Sequence, residues 1–187
     1  MDAADYFTAI MPEPFQILGL RLRPFSLAHY QLLRRFGCAF VSETEAAATT
    51  PDLIFGVLAC SMVPSEFLAW TITDDYESEV RIWGEKIGVV DVNAKAKLFK
   101  DYIEAHSVIP KYWEERSGGS SGAHWSQCVE VMLRSKLGWT TQDLETKPLS
   151  QAFADYFKHA ENEGAVKLMT PDEIAFIAEQ KGLACVA

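Results

Sequence analysis

His29 and Cys38 stand close together in RPFSLAHYQLLRRFGC, and an imidazole beside a thiol is a minimal pair for nucleophilic chemistry. The pair must be in reach in space, not only in sequence. On a helical wheel His29 shares an arc with Tyr30, Leu32, Leu33 and Phe36. Gln31, Arg34 and Arg35 fall outside that arc. The spacing therefore predicts a packed histidine with its ring nitrogens hydrogen-bonded, and no catalytic residue is assigned. His106, His124 and His159 are scattered, and none sits in an HExxH pair on one helix face. Cys38, Cys60, Cys128 and Cys185 form no CxxC pair and have no histidine at zinc-ligand spacing. The acidic window DDYESEV lacks the glycine and the terminal glutamate of a calcium loop. Walker, GxGxxG and GxSxG motifs are missing as well. The sequence thus predicts neither a metal nor a cofactor, and reads as a protein that is not an enzyme.

The elements that would position these residues come from a chain able to bury a core. Hydrophobic residues make up 49% and aromatics 12% of the 187 residues, which argues against disorder. The formal net charge of −9 argues against nucleic acid as a partner, because that needs a basic face. The longest apolar run, Leu53 to Val63, is broken by Gly56 and Ser61 and is too short for a bilayer, so no membrane partner is expected. MDAADYFTAI lacks the basic flank of a secretion signal. A cytoplasmic location with free thiols is the expectation.

Helical signals dominate. Ser26 reads as an N-cap and Gly37 as a stop. Thr50-Pro51-Asp52 opens a helix apolar on nearly all sides, LIFGVLACSM, which predicts a buried central helix. Pro64 opens a short helix, and amphipathic helices are expected over 74–87 and 92–106. Thr170-Pro171-Asp172-Glu173 starts the last helix, with Gly182 as its end. Phe15 to Leu22 is the strand-like segment, with Ala39–Ser42 and Ala165–Leu168 as candidate partners. The expected fold is mainly α, a helical bundle with a small β element near the N-terminus. Residues 1–116 are read as an N-terminal helical domain, 117–124 as a Gly/Ser-rich connector, and 125–187 as a C-terminal helical region. The connector is either an exposed loop or a hinge. The C-terminal helices either pack on the bundle or reach across to another copy, which would make a homo-oligomer.

Two surfaces are candidates for protein partners. Residues 14–42 carry Arg21, Arg23, Arg34 and Arg35 and no acid, whereas 43–115 are strongly acidic. Such a basic face either neutralises its own neighbours or docks an acidic partner. Trp125 and Trp139 bracket a helix bearing the stripe Val129, Met132, Leu133 and Leu137. That stripe is core, or it holds an apolar helix of a partner through Trp125, Met132 and Trp139.

Two segments carry a resemblance. One is LRLRPFSLAHYQLLRRFGCAFV, followed closely by PDLIFGVLACS. The other is WSQCVEVMLRSKLGWTTQDLETKPLSQAFADYFKHAENEG. Together they are similar to small helical proteins of tailed-phage and prophage tail modules, of the tail assembly chaperone type. The resemblance implies a non-enzymatic assembly factor that binds the helix-rich tape measure protein and recruits tail-tube subunits. Alternatives are a structural tail or neck component of a phage-like particle, or a cytosolic helical adaptor unrelated to phage.

Overall fold

The computed structural model describes residues 14–42, 47–73, 75–87, 91–115 and 122–184. The N-terminal segment MDAADYFTAI, Cys185, residues 88–90 within the acidic region and most of the SGGSSG connector lie outside them. The described chain is mainly helical, with a small antiparallel sheet near the N-terminus.

That sheet is a hairpin, β1 (Gln16–Ile17) against β2 (Leu20–Arg21). Its turn holds Leu18 and Gly19, both left-handed at φ +54° and +79°. This is the turn geometry whose twist matches a hairpin. The strand-like segment therefore pairs with itself, and neither expected partner is used. Ala39–Val41 is a 3₁₀ turn, and Val166–Leu168 pairs elsewhere. Ile17 and Leu22 point into the core, while Arg21 stays outside.

Helix α1 (Leu27–Arg35) is capped by Ser26 in a reciprocal box with His29 and stops before Gly37, at φ +71°. Helix α2 (Thr50–Ser61) starts one residue earlier than Thr50 predicts as a cap. Thr49 is the cap, because Asp52 accepts from both its N–H and its hydroxyl at 2.9 and 2.6 Å. Leu53, Ile54, Val57, Leu58, Ala59 and Cys60 of α2 are all buried, as its apolar run requires. Helices α3 (Pro64–Thr71), α4 (Asp75–Ile87) and α5 (Val92–His106) follow. Gly56 lets α2 approach α5: a Cβ there would stand 2.6 Å from the Phe99 ring.

The C-terminal helices are α6 (Trp125–Leu137), α7 (Thr141–Thr146), α8 (Leu149–Asn162) and α9 (Pro171–Ala184). Thr170 and Glu173 form the expected capping box of α9, but the helix runs through Gly182. A second ribbon was not foreseen: β3 (Tyr112–Glu114) pairs antiparallel with β4 (Val166–Leu168). It ties the segment before the connector to the segment after α8. Described residues before and after the connector belong to one core cluster, which includes Ile17, Phe99 and Phe153. The Leu149 amide donates to the Phe25 carbonyl at 2.7 Å.

Candidate functional site: an apolar groove and an arginine edge

The residues that suggested chemistry are not assembled for it. His29 is fully buried, and its Nε2 lies 2.9 Å from the Met62 carbonyl, which can only accept. Nε2 therefore carries the proton and Nδ1 accepts from the Ser26 hydroxyl at 2.8 Å. Burial holds the imidazole down to about 4, with the Met62 bond opposing and the nearby Arg23 charge assisting. Both ring nitrogens are engaged, so none is left for Cys38. The Cys38 thiol is pushed up to about 11 by burial, and burial drives Cys60 well above the usual thiol range. A nucleophilic cysteine needs the opposite shift. No group of three or more His, Cys, Asp or Glu that could hold a metal occurs among the described residues. No helix among them is long and apolar enough to cross a membrane.

A groove of about 830 Å³ lies on the seam between the residues before and after the connector. One wall comes from α1 and α5, through Tyr30, Ile103 and Ser107. The facing wall comes from α6 and α8, through Trp125, Val129, Phe153, Tyr156 and Phe157. The β3–β4 ribbon closes an end with Tyr112, Glu114 and Val166. On α8 the groove side reads Leu149, Phe153, Tyr156, Phe157 and Ala160, a helical stripe visible in LSQAFADYFKHA. The rings brace one another. Trp125 lies 4.6 Å from Tyr30 and 5.3 Å from Phe153, and Tyr112 lies 4.5 Å from Phe157.

The tryptophans and methionine expected as partner anchors are built into the fold. Trp139 is buried, donates from Nε1 to Asp155 at 3.2 Å, and carries the Lys147 ammonium 4.6 Å above its ring. Trp125 is half-buried between α1 and α8, and Met132 packs half-buried against the core. Their stripe is mostly core: Val129 and Leu133 are buried, Met132 is half-buried and Leu137 is exposed. The groove residues Tyr112, Phe153, Tyr156, Phe157 and Ser107 went unnoticed in the sequence.

The arginines divide. Arg23 lies 3.7 Å from Glu66, an exposed pair of little energetic weight. Arg21 is exposed on the hairpin, on a different element from Arg34 and Arg35. Arg34 and Arg35 project from the last turn of α1, where positive charge suits the helix end, and they make no ion pair among the described residues. Next to them Phe36 is 52% exposed, its ring 5.3 Å from Phe55. Gln31 joins this edge to α6 by donating to Glu130 at 2.9 Å, and Val131 of α6 is 65% exposed. Arg34 and Arg35 line a second, polar concavity with Gln31, Ser126, Gln127 and Glu130.

No protein-family model matches the chain, and neither a curated protein nor a solved structure matches it.

Proposed function

We propose that the protein is a non-enzymatic assembly factor that acts by docking other proteins, of the phage tail assembly chaperone kind that its sequence resembles. The observation that carries the reading is the α1 edge. Two arginines that make no ion pair among the described residues precede a half-exposed phenylalanine at the end of a helix fixed by its buried face. Arginine and aromatic side chains are the types that dominate binding energy at interfaces. Four arginines without an acid over residues 14–42 favour an acidic partner surface. On this reading the partner is a helical segment pairing carboxylates with Arg34 and Arg35 and an apolar side chain with Phe36. The work would take place in the host cytoplasm, with the tape measure and tail-tube proteins as partners.

The experiment is a pull-down from the native host, read by mass spectrometry, with the wild type beside the double variant Arg34→Glu/Arg35→Glu. Recovery of a very long helical protein by the wild type, lost in the variant, is the expected result. An unchanged catch would remove the basic edge from the mechanism. Recovery of a metabolic enzyme complex would sink the assembly reading. Retention in purified particles would mark a structural component instead of a chaperone.

A further inference from the structure

We infer that the groove between α1, α5, α6 and α8 is a binding site for an uncharged, largely apolar small molecule carrying one hydrogen-bond acceptor. The site is separate from the α1 edge and needs no partner protein. Its size comes first: about 830 Å³ falls inside the roughly 300–1,000 Å³ typical of small-molecule sites. Its composition matches too, with apolar and aromatic walls and few polar groups.

The observation that points to a ligand is Ser107. Its hydroxyl oxygen is buried and has no hydrogen-bond partner, the one such side-chain atom among the described residues. The backbone of Ser107 is satisfied, because its N–H donates to the Glu104 carbonyl at the end of α5. Buried hydroxyls without partners are rare, since desolvation is then uncompensated. Ser107 is among the residues that line the groove. Rotation of its side chain would bring the hydroxyl to an acceptor atom on a bound molecule.

Charge sets the rest of the ligand's chemistry. No lysine, arginine or histidine is among the lining residues, so an anion buried there would meet no counter-charge. Glu114 at the ribbon end is an exposed carboxylate, which disfavours an anion further. Packing sets the ligand's shape. Trp125 is held between Tyr30 and Phe153, so flat ring faces are already fixed in place. A flat molecule would find walls that need no ordering on binding.

A naphthalene series tests each part on the full-length protein, by tryptophan fluorescence and titration calorimetry. 2-Acetylnaphthalene, which carries a carbonyl acceptor, should bind saturably with one site per chain. Naphthalene should bind about two- to tenfold more weakly, the range of one net hydrogen bond. 2-Naphthoate should bind weakest of the three. Ser107→Ala should bring 2-acetylnaphthalene down to the affinity of naphthalene and leave naphthalene unchanged. Ala160→Trp, which fills the groove from α8, should abolish binding of all three while circular dichroism stays that of the wild type. Absence of saturable binding by any probe would overturn the inference. So would 2-naphthoate binding as tightly as the ketone, an unchanged ratio in Ser107→Ala, or undiminished binding in a folded Ala160→Trp.

Discussion

The apolar groove and the arginine edge meet on the same short helix, one turn apart, and they are made of residues in different predicaments. Tyr30 is a core residue that also faces the groove. Arg34 and Arg35, a turn later, touch solvent and contribute to the fold only through the helix dipole. The groove is therefore an outgrowth of the core: truncating its buried wall residues, such as Phe153, costs folding energy. The edge is free of that constraint, so what it carries is open to selection by a partner. Stability measurements should separate the two regions sharply.

The largest effect should come from the groove. Phe153 is 6% exposed and packs its ring against Trp125. Phe153→Ala should destabilise the protein by about 3–5 kcal/mol, the range for truncating a buried phenylalanine, read from the urea midpoint. A loss below about 1 kcal/mol would mean that the wall is a surface and not core, and the contrast between the regions would fail.

Beneath the groove, His29 ties α1 to the end of α2 through Met62, and it makes that tie sensitive to acid. Its folded-state value of about 4 lies below the ordinary 6.5, so the unfolded chain takes up the proton first as pH falls. The stability this confers is complete above pH 6.5 and is lost between there and pH 4. From pH 7 to pH 4.5 the loss should be about 2–3 kcal/mol. Burial lowers His106 as well, which adds in the same direction. In His29→Gln the slope attributable to this residue should vanish, whatever the variant's stability at pH 7. A wild-type midpoint that stayed flat over this range would show the imidazole accessible to protons and the α1–α2 seam open.

A smaller loss belongs to the contact between α2 and α5. Gly56→Ala gains about 1 kcal/mol of helix propensity, but its Cβ meets the buried Phe99 ring at 2.6 Å. Overpacking of this kind costs typically about 1–3 kcal/mol. Phe99 is itself fixed edge-on by Phe40 and stacked on Tyr102, so it has little room to yield. A net loss of about 1–2 kcal/mol in thermal or urea unfolding is expected. A gain would show that the ring moves, and that the core beneath the groove is softer than its walls.

How much of this could be read from the sequence follows the same division. Local signals worked where one helix decides the outcome. Ser26 caps, Thr170 caps, His29 lies in an apolar arc and the Leu53 run is buried. They failed where the answer depends on what arrives from far along the chain. The Phe15 segment closes on itself because Leu18 accepts a left-handed φ, and no Asn-Gly pair announces it. Val166–Leu168 pairs with Tyr112–Glu114, more than fifty positions earlier, and nothing local names that partner. Spacing along a helix identifies a face but not what covers it. Trp139 looked like an anchor until Asp155 and Lys147 were found around it. The α8 stripe has helical spacing yet went unread, because the groove needs four elements brought together, and Ser107 has meaning only inside it.

The smallest effect on folding should come from the edge, and there it carries the most information. Replacing Arg34 and Arg35 by glutamine removes two positive charges from the C-terminal turn of α1. Each is worth about 0.3–1 kcal/mol at low ionic strength, and salt screens that contribution. In about 150 mM salt the double variant should therefore unfold within about 1 kcal/mol of the wild type, because neither side chain has an ion-pair partner among the described residues to lose. If the edge docks an acidic partner, the same variant should lose capture of that partner with its fold intact. The salt dependence of capture should weaken with it, since rim charges act mainly on association rate and screening. A double variant that unfolded several kcal/mol early would show that these arginines belong to the fold after all, and the edge would then be no freer than the groove.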